Sequence, residues 1–362
     1  MQKKLYSIRD SIEENPQTKK IIRIASILAV IAAVILLVIV GINTYTWNEF
    51  VVRASKSLVD GLALSMLLFL MVSGFFLIFG LCDVINFAHG AFFMLGGFMG
   101  YTIYLATEAL FLDIGLFGTN YFLLSIVCFI VAALGAAGVL AVIGGGIEFF
   151  TIRRLYGNVI AQILLTVGFM YIITQVAEIM WGTSVISYFI TPNSQIEYFF
   201  ISGVLDFGGA LKFELYRIFL IFLGLGVAAL MFIAFRKTRI GLLIQAGIED
   251  SEMVEALGTD IKKLLTIVFM LGAGLAGFSG AVLVPWIGAN TGHGLTYLIY
   301  AFVIVVVGGA HYGRFEGTFF GALIVGLSMQ FTAYFIPAFE GIIVFMIMVA
   351  ILIFKPGGLT GT

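Results

Sequence analysis

Ten apolar runs follow one another along this chain, at 21–42, 58–80, 88–107, 121–143, 159–181, 217–235, 264–287, 297–309, 317–336 and 341–354, with most of the charge confined to the stretches between them. A helix needs about 20 apolar residues to cross the hydrocarbon of a bilayer. The runs therefore predict an all-α integral membrane protein, a polytopic bundle of about ten transmembrane helices. The eighth and tenth runs are short, and each either crosses fully or enters and returns. Composition excludes a water-soluble alternative: 61% of the residues are hydrophobic and only 11% charged, where a soluble domain carries about 25%.

The distribution of basic residues tests that count. With the N-terminus in the cytoplasm, 15 of the 19 Lys and Arg residues fall in cytoplasmic segments. The opposite side holds only Arg53, Lys56, Lys212 and Arg217. That asymmetry is what the positive-inside rule asks of a correct topology, and it places both termini in the cytoplasm. The first run is longer than the apolar core of a secretory signal and is followed by no small-residue cleavage site, so it is read as a retained helix. A net charge of −1 gives no basic field for nucleic acid. Two cysteines, Cys82 and Cys128, provide neither a disulfide framework nor a metal-ligand spacing. No tandem repeat, soluble domain or phosphate-binding G-x-x-x-x-G-K-[ST] loop is visible, so this chain is expected to hold no cofactor, and any ATP is used by another chain.

Polar side chains inside apolar runs need a reason, because each costs free energy in lipid. Asp83-Val84-Ile85-Asn86-Phe87-Ala88-His89-Gly90 sets Asn86 to cap the next helix, with His89 in its first turn. Gln162 and Thr166 share one face of the fifth run, and Gln175 shares another with Glu178. With Asn290, these are the candidates for a translocation pathway; interhelical hydrogen bonding is the alternative. Two glycine faces, Gly96, Gly97 and Gly100 and then Gly272, Gly274, Gly277 and Gly280, suit close helix packing, or sliding during transport.

Two loops are long. The external stretch 182–216, with Pro192, Asn193 and Gly208, is expected to form a cap with a short irregular element. In the cytoplasmic stretch 236–263, Gly241 lies in the opening segment. Further on, Asp250 or Ser251 suits an N-cap, Glu252 suits the positive helix end, and Gly258 suits the stop. The resulting helix of about two turns places Met253, Val254 and Leu257 on an apolar side, with Glu255 among them. It is either a plain connector or a docking element.

From about residue 58 onward the chain resembles LivH-type permease subunits of ABC importers for branched-chain amino acids. The resemblance rests on Gly80-Leu81-Cys82-Asp83-Val84-Ile85-Asn86-Phe87-Ala88-His89-Gly90 followed by Met94-Leu95-Gly96-Gly97. It continues in Thr238-Arg239-Ile240-Gly241 with Glu255-Ala256-Leu257-Gly258, and in Phe354-Lys355-Pro356-Gly357-Gly358-Leu359. It implies a permease domain at 58–362 preceded by an N-terminal extension, 1–57, with an extra helix. It also implies a second permease subunit, two cytoplasmic ATPase subunits that use ATP, an external substrate-binding protein, and residence in the cell inner membrane. The loop carrying Gly241, Asp250, Glu252, Met253, Glu255, Leu257 and Gly258 would dock an ATPase. Cys82-Asp83 departs from the family's pattern, and similar permeases carry urea or short amides, so two substrate classes stay open. A self-sufficient channel or carrier is the rival from another class. A membrane-embedded enzyme has little to stand on, since His89, His293 and His311 are scattered.

Overall fold

The computed structural model describes residues 45–82, 86–115, 121–187, 203–206, 208, 211–249, 251–256, 258–309, 315–355 and 357–359. The first expected span, most of the N-terminal extension, Asp250 and Leu257 lie outside them. Lipid offers the backbone no hydrogen-bond partner, so a chain this apolar closes its own bonds in helices. Eleven α-helices result among the described residues: α1 (Trp47–Cys82), α2 (Ala88–Asp113), α3 (Tyr121–Phe150), α4 (Val159–Trp181), α5 (Leu215–Lys237), α6 (Arg239–Glu249), α7 (Ser251–Ala256), α8 (Ile261–Ile287), α9 (His293–Gly308), α10 (Phe315–Phe335) and α11 (Glu340–Phe354). Eight of the helical segments are long and apolar enough to cross a membrane, and α9 is a shorter apolar helix.

Each expected span from the second onward falls on one of these helices, with longer bounds in several cases. The second begins at Trp47 instead of 58, and the fourth runs on to Phe150 instead of 143. The apolar count stopped at the flanking Arg53, Lys56 and Glu148, yet the structure continues the helix through all three. Glu49 is tied to Thr46 at the start of α1. Glu148 is buried against partners described below. The stretch 182–216 contributes a two-stranded hairpin, β1 (Val204–Asp206) and β2 (Lys212–Glu214), paired antiparallel. Ile186 additionally exchanges backbone hydrogen bonds with Ala289.

The core is organised around α1 and α8, and its contacts come in matched pairs. α1 packs on α10 as α8 packs on α3; α1 meets α9 as α8 meets α2; α2 meets α3 and α4 as α9 meets α10 and α11. The helices α1–α4 and α8–α11 are therefore two copies of one arrangement, related by an approximate twofold axis. α1 and α8 cross antiparallel, since Gly272 lies against both Gly74 and Ile78 while Gly74 approaches Leu275. The repeat is thus an inverted one, a feature common among membrane transport folds. A search for tandem repeats misses it.

The glycine faces found in the sequence meet in part: Gly277 and Gly280 of the second lie against the first, while Gly272 packs on Gly74 of α1 and Gly274 on Ala137 of α3. A Cβ on Gly96 would lie 2.4 Å from the Gly277 backbone, and one on Gly100 would lie 2.5 Å from the Ala281 side chain. Without a hydrophobic driving force between helices in lipid, such backbone-to-backbone approach supplies the dispersion contact that holds α2 on α8.

Candidate functional site

Five residues on each side of the twofold axis carry the same pattern, Asn-x-x-His-Gly, 204 positions apart (86 to 290, 89 to 293, 90 to 294). Both copies fold alike. Asn86 Oδ1 accepts from the Ala88 amide at 3.0 Å, and Asn290 Oδ1 accepts from the Gly292 amide at 2.7 Å. The His89 amide donates to the Asn86 carbonyl at 3.2 Å, as the His293 amide does to the Asn290 carbonyl at 3.2 Å. Each asparagine thus closes a tight turn that launches a helix, α2 or α9. The capping role expected of Asn86 is present, as a two-residue Asx turn.

The two helix starts lie against each other. A Cβ on Gly90 would stand 2.2 Å from the Gly294 carbonyl oxygen and 2.8 Å from Leu298; one on Gly294 would stand 3.3 Å from the Gly90 oxygen and 3.5 Å from Met94. Phe93 and Tyr297, four residues beyond each histidine, meet at 4.7 Å between ring centroids. The axis therefore passes between Gly90 and Gly294, where only hydrogen in place of a side chain permits contact.

Burial separates the copies. Asn86 and His89 are fully buried. His89 Nε2 lies 3.1 Å from the Met71 carbonyl oxygen, an acceptor only, so Nε2 carries the proton and donates. This leaves His89 Nδ1, and Asn86 Nδ2, without hydrogen-bond partners. Asn290 and His293 are half-buried and line a narrow crevice with Phe93, Gly97 and Leu283, nowhere wide enough for a water molecule.

The remaining pathway candidates divide by face. Gln162 and Thr166 are buried in the packing of α4; Gln162 Nε2 donates to the Leu155 carbonyl at 2.9 Å, and Thr166 Oγ1 donates to the Ile163 carbonyl at 3.1 Å. Gln175 is on the exposed face, where its Nε2 donates to Glu178 Oε2 at 3.2 Å.

Two carboxylate clusters tie the matched helix pairs at opposite ends of the bundle, and sequence reasoning missed both because the partners that make each tie (Tyr334 and Arg217 in one, Thr266 in the other) are remote in the chain. At one end Asp60 of α1 accepts from the Tyr334 hydroxyl of α10 at 2.6 Å and pairs with Arg217, whose guanidinium lies 5.1 Å from the Trp286 ring centroid. At the other, fully buried Glu148 of α3 accepts from Thr266 of α8 at 2.7 Å, from Tyr156 at 3.1 Å and from Arg153 at 3.2 Å.

The long loop after α5 holds two helices where the sequence predicted one. α6 follows Thr238, whose hydroxyl accepts from the Gly241 amide at 3.0 Å; Gly241 is buried, because a Cβ there would meet the Ala234 carbonyl oxygen at 2.2 Å. α7 matches the short helix expected before Gly258, which has the left-handed φ of +87° that favours glycine. The expected shared apolar side is corrected, however: Val254 is buried, whereas Met253 is 58% exposed. Neighbouring helical positions diverge by about 100°, so α7 seals one of them and presents the other beside exposed Glu255. Asp260 then caps α8 by accepting from the Lys263 amide at 3.1 Å, a bond that holds its carboxyl below the usual carboxylate range. Among the described residues no group of His, Cys, Asp and Glu side chains could hold a metal ion.

Inverted repeats, helices that begin inside the bundle and an apolar perimeter define a multi-pass membrane permease. The chain belongs to the family described as branched-chain amino acid transport system / permease component, whose profile matches residues 57–352. It is similar to the high-affinity branched-chain amino acid transport system permease protein BraD of Pseudomonas aeruginosa, 26% identical over 84% of this chain and 95% of the relative. The corresponding LivH of Escherichia coli K12 is 24% identical, with the same coverage of both chains. A probable LivH of Methanocaldococcus jannaschii is 24% identical over 84% of this chain and 92% of its own. No solved structure matches the chain. The protein is accordingly an ABC-transporter permease of the inner membrane.

Proposed function

We propose that this chain is the permease subunit of an ATP-driven importer of branched-chain amino acids, with both termini in the cytoplasm. It works beside a second permease subunit, two cytoplasmic ATPases that bind the ATP, and an external substrate-binding protein. The permease domain is taken as 58–362, with residues 1–57 as its N-terminal extension. The observation that carries this reading is the α6–α7 pair: Leu242 (55% exposed) and Met253 stand outward on helices whose other sides, at Ile244 and Val254, are buried. Exposed apolar side chains on short helices whose other sides are buried suit a protein partner better than water. ATP-driven motion of that partner would reach the core through α5 and α8, which flank the loop, and open the bundle to one side at a time.

The test is uptake of labelled leucine and urea into liposomes holding this chain, with and without the partner subunits. Uptake of leucine only in the full assembly with ATP is the expected result. Uptake by this chain alone would make it a channel or carrier, and preference for urea would change the substrate class. Leu242→Asp and Met253→Asp are each expected to lower ATP-driven uptake by about tenfold, the loss of a contact of about 1.4 kcal/mol, while membrane insertion persists.

A further inference from the structure

The spanning helix α5 turns one uninterrupted apolar side outward and ends that side in positive charge. Phe222, Gly226, Ala229 and Ile233 are all exposed, and at about 100° per residue they fall within one sector of the helix. From Phe222 to Ile233 that sector is about 16 Å long, close to half of a hydrocarbon layer about 30 Å thick. The next turn carries Arg236 and Lys237 on the same side, and both are exposed. An apolar face one leaflet deep that ends in cations suits acyl chains along its length and a headgroup at its foot.

Several basic residues beside the helix ends are already claimed. Arg153 is paired with Glu148 at 3.2 Å, Lys263 with Asp260 at 3.2 Å and Arg236 with Glu316 at 2.7 Å. Lys237 and Arg239 are exposed and have no ion pair among the described residues. The residue between them fixes their spacing. Thr238 donates its hydroxyl to the Ala234 carbonyl at 2.6 Å and accepts from the Gly241 amide at 3.0 Å, which closes the corner from α5 into α6. Arg236 lies 4.4 Å from the centroid of the Phe232 ring, so a third cation is held against the apolar face. Two unpaired cations on a fixed corner make a ready partner for a phosphate at the membrane surface.

We infer that the foot of α5 binds an anionic phospholipid, with its phosphate on Lys237 and Arg239 and its acyl chains along Phe222–Ile233. Charge complementarity selects the headgroup. A zwitterionic lipid brings its own ammonium beside the phosphate, whereas an anionic one offers the two cations a net negative partner. The bound lipid braces the corner that leads to Leu242 and Met253, whatever the cargo of the permease.

The experiment introduces Ile233→Trp beside the foot and, separately, Leu134→Trp on the exposed face of α3. The full chain, alone and with its partner subunits, is reconstituted in bilayers that mix phosphatidylglycerol with phosphatidylcholine. One lipid or the other is brominated, and quenching of the added tryptophan reports which lipid lies against it. At position 233 phosphatidylglycerol should be favoured at least about fivefold, the effect of a single cation near the membrane surface. At position 134 the two lipids should quench alike. Lys237→Gln combined with Arg239→Gln should bring the preference at 233 to near unity, while Lys237→Arg combined with Arg239→Lys should keep it. Salt at about 1 M should also remove it without any change at the foot, so the test stands even where the double glutamine variant fails to fold. Equal quenching at 233 by both lipids overturns the inference, as does a preference that survives both the glutamine variant and the salt. Exclusion of both lipids from 233 in the assembly overturns it too, and would give Lys237 and Arg239 to a protein surface. The readout uses neither ATP nor cargo, so its failure and a failure of the permease reading are told apart.

Discussion

The two halves of the repeat begin their inner helices with the same five-residue pattern and the same turn, yet one copy is sealed and the other lines a crevice. Asn86 and His89 are completely buried with a nitrogen each left unpartnered; Asn290 and His293 are half-buried. Local sequence therefore determines the turn, and the neighbours determine its environment. The carboxylate clusters teach the same lesson. The ties join the equivalent pairs α1 with α10 and α8 with α3, each crossing from one half to the other, and the acid sits on α1 in one pair and on α3 in the second. Each pair needs a polar tie between its two helices, and either helix can provide the acid.

The largest test of this comparison removes the ties. Glu148→Ala and Asp60→Ala should each lower stability by about 3 kcal/mol, since each leaves an arginine without its buried partner. Thermal unfolding in detergent measures both, and a loss confined to one would mean that the two helix pairs are not braced alike. A smaller effect separates the paired glycines. Gly90→Ala is expected to cost about 2 kcal/mol because its methyl meets backbone at 2.2 Å, whereas Gly294→Ala, with 3.3 Å available, should stay within about 1 kcal/mol. Equal costs would show that the contact relaxes symmetrically. The smallest concerns the turns: Asn86→Ala and Asn290→Ala should each cost about 1 kcal/mol, the usual value of a side-chain cap. A much greater cost at Asn86 would indicate that its unpartnered amide nitrogen has a partner in the membrane.

Much of this was legible in the residues. Apolar length located every span among the described residues, because in lipid a helix is the only open segment that satisfies its own backbone. The Asn86 turn and the Gly258 stop were readable for the same reason, being local geometry. Three things were not. Helix ends hidden under Arg53 and Glu148 escaped a hydropathy reading, since Arg53 donates to the Tyr334 carbonyl and Glu148 accepts from Thr266, both remote in the chain. The faces of Gln162 and Gln175 could be separated by angle, but which of them pointed into protein depended on the packing of α2 on α4. The inverted repeat was present as Asn-x-x-His-Gly written twice, a signal readable only by comparing the chain with itself at long range.

The contact between Gly90 and Gly294 also has a temporal side. Its two glycines are synthesised 204 residues apart. At about 5–20 residues per second, the first waits roughly 10–40 s for the second to leave the ribosome. Throughout that interval the face of α2 at Gly90 has no α9 to pack against, so the contact that joins the two halves forms only after most of the chain has been made.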